Sequence, residues 1–122
     1  MSLYAIGDLH FSTAVNKPMD VFGDNWDNHQ EKIINNWKEV ISDEDTVLVL
    51  GDTSWAINMD EAKEDLDIIN NLPGKKVFIK GNHDYWWSSL NKLKKAYEEI
   101  SFLQNTYYKY ENIGICGSRG WL

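Results

Sequence analysis

Residues 46–52 read Thr46-Val47-Leu48-Val49-Leu50-Gly51-Asp52: a continuous apolar, β-branched-rich run closed by a glycine and an acid. A run this short that does not alternate with polar residues predicts a strand buried on both faces, as in a parallel sheet. Two other stretches have the same form. Leu3–Ile6 is closed by Gly7-Asp8, and Lys76–Ile79 is followed, after Lys80, by Gly81-Asn82. Helical spacing fills the intervals. From Asn25, the residues Trp26, Ile33, Ile34, Trp37, Val40 and Ile41 fall on one face, and Ser42-Asp43-Glu44-Asp45 ends that helix. Asn58 with Glu61 three positions on predicts the start of a second helix, an Asn variant of the capping box. Its buried stripe is Ala62, Leu66, Ile69 and Leu72, and Pro73-Gly74 stop it. A third stretch, 87–97, turns Leu90, Leu93 and Tyr97 inward and Lys92, Lys94 and Lys95 outward. Residues 9–23 are irregular, with Pro18 and Gly23 as breakers, and 106–110 with 113–117 predict an antiparallel hairpin. The order β-α-β-α-β-α followed by a hairpin defines an α/β fold, with the parallel sheet expected to be covered on both faces.

The 122 residues predict a single domain, 1–122. A net charge of −7 disfavours non-specific nucleic-acid binding, which depends on lysine and arginine neutralising phosphates. An anionic substrate stays compatible with that charge if bound cations reverse the local field. The lone Cys116 permits no internal disulfide. The N-terminus MSLYAIGDLH has no signal-peptide pattern, and no run approaches the ~20 apolar residues of a membrane helix. A cytoplasmic location without membrane contact is the expectation; the oligomeric state is left open.

The three predicted strands end in GDLH (7–10), GDTS (51–54) and GNHD (81–84). Carboxyl ends of neighbouring parallel strands lie at one sheet edge, where such folds bind ligands. Asp8, His10, Asp52, Asn82, His83 and Asp84 are therefore expected to converge there. Carboxylates gathered in one crevice raise each other's pKa unless a cation neutralises them. Oxygen from Asp and Asn together with imidazole nitrogen suits manganese, iron or zinc better than magnesium or calcium. Asp8 and His10, two apart in an extended segment, face the same side, and the two oxygens of Asp52 allow it to bridge two ions.

In this order and context, D-x-H, G-D and G-N-H-D resemble the calcineurin-like metallophosphoesterases over the whole chain. The resemblance implies a two-sheet sandwich flanked by helices and a dinuclear centre that hydrolyses a phosphomonoester or phosphodiester. It gives Asp8 and His10 to the first metal, Asp52 to both, and Asn82 to the second. His83 becomes the phosphate contact and proton donor, and Asp84 the support of its imidazole. The family's downstream Gly-His-x-His element is absent: the three histidines are His10, His29 and His83. The chain is accordingly expected to be the N-terminal part of a longer phosphoesterase or a natural truncation with an incomplete centre, with two divalent ions in the complete site and one or none here. His29 is a candidate substitute ligand or substrate contact, and Arg119 a candidate phosphate contact. Trp86 and Trp87 suit either substrate flanking or anchoring of the following helix. The alternative is a non-catalytic metal-binding or interaction module that keeps the phosphoesterase fold. A receiver-like magnesium site is a third reading, but it gives His10 no task.

Overall fold

A computed structural model describes residues 1–121; Leu122, the last residue of the expected domain, lies outside the described residues. Four parallel strands, β1 (Leu3–Ile6), β2 (Thr46–Val49), β3 (Lys75–Ile79) and β4 (Ile100–Leu103), lie in the order of the chain. Between them run α1 (His29–Val40), α2 (Met59–Asn71) and α3 (Leu90–Ala96), and an antiparallel hairpin, β5 (Thr106–Tyr110) with β6 (Ile113–Gly117), follows. The fold is the mixed α/β architecture expected, with a parallel sheet and a second, antiparallel sheet.

Register explains which side chains make the core. Tyr4 pairs with Val47, Val47 with Lys76 and Lys76 with Ile100; two residues on, Ile6 pairs with Val49, Val49 with Phe78 and Phe78 with Phe102. Because strand side chains alternate faces, these eight share one face. Val47, Val49, Phe78, Ile100 and Phe102 join Trp37 and Ile41 at α1, Leu66 and Ile69 of α2, and Leu93 of α3 in one buried cluster. Strands added in chain order through right-handed crossovers carry all their helices on that face.

The opposite face is covered only in part, and by the hairpin. Ala5 is exposed and Leu48 half-buried, whereas Val77 and Leu103 are buried. A Cβ on Gly117 would come within 2.6 Å of Leu103 and 2.7 Å of Ile79, so the hairpin presses on the β3–β4 end and leaves the β1 end open.

Three local readings are also revised. The strand β4 was not expected from the sequence. The helix read from Asn25 begins at His29, because Asn28 sits in the left-handed region at φ 52° and residues 24–26 form a separate 3-10 turn. The helix read from residue 87 begins at Leu90, capped by Ser89 Oγ, which accepts from Lys92 N. The start of α2 is as read: Asn58 Oδ1 accepts from Glu61 N at 2.9 Å, and Glu61 reaches back to Ile57 N. At its other end the buried Lys76 ammonium donates to Asn70 O and Leu72 O, supplying the last turn with a cation where the helix dipole favours one.

Candidate metal centre

Past the ends of β1 and β2 the two chains continue side by side. Asp8 N donates to Gly51 O (3.0 Å), His10 N to Asp52 O (2.9 Å), Phe11 N to Thr53 O (3.0 Å), and Trp55 N to Phe11 O (2.9 Å). This ladder extension sets His10 beside Asp52. Asp8, His10 and Asp52 hold φ angles of 57°, 48° and 51°, the left-handed region that non-glycine residues rarely adopt. Strain of this kind persists only where the surroundings enforce it, and it concentrates at functional sites.

The β2 and β3 loops interlock through glycine. Gly51 has φ +102°, and a Cβ there would meet the Gly81 backbone at 2.7 Å. Gly81 has no such angle, yet its Cβ would lie 2.3 Å from Asp52 N and Oδ1. Gly81 is thus required for close approach rather than for a sharp turn.

One ligand atom from each of Asp8, His10 and Asp52 lies within 4.8 Å of the others. His10 Nε2 is 3.8 Å from both Asp8 Oδ1 and Asp52 Oδ2. That is too long for hydrogen bonds, but ligands bound at about 2.0–2.2 Å to one ion are about 3–4 Å apart. The donor set and spacing fit a divalent cation. Burial holds the His10 imidazole below its usual pKa, against the opposing charges of Asp52 and Asp8, so the ring stays neutral and able to ligate. Burial would raise the Asp52 carboxyl, but the side-chain and backbone hydrogen bonds from His83 lead the interactions that outweigh it and keep the group below the usual carboxylate range.

His83 is drawn in by Asp52: its backbone N donates to Asp52 Oδ1 at 2.8 Å, and its Nδ1 lies 3.0 Å from Oδ2. The hydrogen bonds of Asp84 go to other groups than that imidazole. Asp84 is fully buried, and both oxygens face N–H donors: Oδ2 accepts from Asp52 N (2.8 Å) and Gly81 N (2.7 Å), and Oδ1 from Thr53 N (2.8 Å) and Trp86 Nε1 (2.9 Å). Burial pushes the Asp84 carboxyl up, and these donors work against that. Asn82 is exposed on the loop between Gly81 and His83.

The remaining candidates have other partners. His29 Nε2 is 3.0 Å from Leu9 O and 3.1 Å from His10 O. With two carbonyls as partners that nitrogen must carry the hydrogen, so His29 clamps the D-x-H loop from α1 and does not offer Nε2 as a ligand. Arg119 stacks on Trp121 (4.0 Å from its centroid) and donates from Nε to Trp121 O, while Trp121 Nε1 is 3.4 Å from Lys80 O. Trp86 is buried and Trp87 donates to Gln104 Oε1, so both anchor the chain before α3.

Trp55 was not foreseen as a site residue. Its ring stacks on His10 (centroids 4.6 Å apart) and lies 5.0 Å from that of His83. The only sequence hint is its place three residues after Asp52.

Carboxylates and imidazole at the ends of parallel strands define an α/β protein with a candidate cation site at the sheet edge. The chain belongs to the calcineurin-like phosphoesterase family, whose family model matches residues 1–120, and that family is metal-dependent. Over 87 residues it is 34% identical to the uncharacterized protein MJ1445 of Methanocaldococcus jannaschii, covering 67% of this chain and 46% of that protein. It also resembles the crystal structure of AQ665, a protein of unknown function from Aquifex aeolicus. There the TM-score is 0.58 at 24% identity, over 93% of this chain and 58% of that one, and the likeness concerns the fold. The chain thus spans about half the length of the curated relative it matches. Among the described residues no helix is long and apolar enough to cross a membrane.

Proposed function

We propose that the chain carries the strand-end half of a phosphoesterase centre that hydrolyses a phosphate ester at a divalent-metal site. The observation behind this is the meeting of Asp8, His10 and Asp52 within 4.8 Å, with His83 hydrogen-bonded to Asp52. Asp8, His10 and Asp52 hold the cation, manganese, iron or zinc by donor type, and Asn82 serves a second ion. A bound divalent cation supplies Lewis acidity and an activated water. Asp52 fixes the His83 tautomer by accepting from Nδ1, which leaves Nε2 for the mobile proton. As the P–O bond to the leaving group breaks, Nε2–H protonates the departing oxygen, a contribution of about 10²–10⁴-fold. Asp84 acts indirectly, by fixing the backbones of both loops. Arg119, near the end of β3, contacts the phosphate, and the protein works in the cytoplasm. Residues 1–122 form a single phosphoesterase domain whose metal centre needs ligands beyond Asp8, His10, Asp52 and Asn82.

A second reading, a cation-binding module without turnover, draws on the size of the ligand cluster, three residues, and on the engagement of His29 by backbone carbonyls. Hydrolysis of an aryl phosphate with added manganese, measured beside metal content, separates the two. His83→Ala should lower turnover and leave metal content nearly unchanged. Equal loss of both would reject His83 as the acid, and no turnover from a metal-loaded wild type would favour the module.

A further inference from the structure

We infer that Lys17, presented by the irregular segment between β1 and α1, is the substrate-binding residue that reads the second negative charge of a phosphomonoester; this rests on the phosphoesterase reading above. The Lys17 ammonium lies 5.1 Å from the centroid of Trp55, the ring that stacks on His10 and leans on His83. It is held there by more than its own side chain. Pro18 follows it at φ −69°, and Met19 after that is buried, with its sulfur accepting from Trp55 Nε1 at 3.3 Å. The same indole therefore anchors the loop through Met19 and carries the Lys17 charge on its π-system.

Lys17 also forms no ion pair among the described residues; the pairs present there involve His10, Lys63 and His83. A cation on the ring that stacks on His10, and in no ion pair among the described residues, is available to an incoming anion. The need is real on charge grounds, because the chain carries −7 and its catalytic edge is acidic. Lysine is a compact charge on a flexible stem, suited to one non-bridging phosphate oxygen. A monoester dianion has an oxygen to spare for it, whereas a diester has esterified that position and keeps a single charge.

The test is calorimetric titration of inorganic phosphate into the manganese-loaded chain, with manganese binding measured separately for each variant. Lys17→Met, which keeps the apolar stem over Trp55, should weaken phosphate about tenfold, the loss expected for one charge-assisted hydrogen bond. Lys17→Arg should recover most of that loss, manganese affinity should not move, and dimethyl phosphate should change by less than about twofold. Phosphate binding to Lys17→Met as tight as to wild type overturns the inference and leaves the phosphoesterase reading standing. So does a parallel loss of manganese, which makes Lys17 a structural residue, while an equal loss for dimethyl phosphate overturns the charge-reading role. No phosphate binding by the metal-loaded wild type overturns the phosphoesterase reading itself, and this inference with it.

Discussion

Asp84 accepts the backbone N–H of Asp52 at 2.8 Å from a fully buried position, tying the acid at the end of GNHD to the acid at the end of β2. Asp84 Oδ2 also takes Gly81 N, so one carboxylate fixes the start of its own loop and the neighbouring loop together. In Asp84→Asn, whichever way the amide turns, an NH₂ faces N–H donors that need an acceptor. The loss should be on the order of 3 kcal/mol. Urea unfolding measures it, and manganese affinity should fall with it because Asp52 is no longer held. A variant as stable as wild type would contradict this account of Asp84.

The Gly81 contact gives a sharper steric prediction. Gly81→Ala places a Cβ 2.3 Å from Asp52 N and Oδ1, forcing the loops apart. It should destabilise by about 3 kcal/mol, the upper range for overpacking, and abolish metal binding. Gly114→Ala is the control, because its Cβ meets only Tyr107 Cδ2 at 4.0 Å, and it should change neither property. Thermal unfolding and a manganese titration on both variants decide the point.

His29→Ala removes the donor that clamps the carbonyls of Leu9 and His10. Metal affinity should fall about 10–100-fold, the range for groups that orient ligands from behind, while far-ultraviolet circular dichroism stays unchanged. Unaltered manganese affinity would reduce His29 to a packing residue.

The pH dependence of stability has a definite sign at Asp45. Its oxygens accept from Ser42 N (2.8 Å), Ser2 N (2.7 Å) and Ser42 Oγ (3.1 Å), joining the N-terminus to the turn after α1. The backbone N–H of Ser42, then that of Ser2, hold its pKa below the usual 3.8. The unfolded chain therefore takes up the proton first as pH falls. The stabilisation is whole above the unfolded value and is lost as pH drops through the folded one. Melting temperatures between pH 7 and pH 2.5 should fall less steeply in Asp45→Asn than in wild type; parallel curves would refute the assignment.

Much of this architecture was legible because strand, turn and helix each left a pattern. TVLVLGD marks β2 by its unbroken apolar run, and Asn58 with Glu61 marks the start of α2 by capping chemistry. β4 escaped because Ile100-Ser101-Phe102-Leu103 is four residues long, places a serine on the half-covered face, and ends in no glycine or acid. The convergence of Asp8, His10 and Asp52 followed from their positions at strand ends. What Asp84 and His29 bond to did not, because most of their partners are backbone groups brought near only by the fold. Trp55 was hidden for a related reason: an aromatic residue after a strand is usually core, and only the paired loops turn its ring onto two histidines.

In the proposed site Asp8, His10 and Asp52 hold one divalent cation, with Asp52 as its pivot. The most direct test is the manganese stoichiometry and affinity of the wild-type chain beside Asp52→Asn and Asn82→Ala. Wild type should bind manganese, and Asp52→Asn should lose more of it than Asn82→Ala. Wild-type binding retained in Asp52→Asn, or a larger loss in Asn82→Ala, would contradict this assignment.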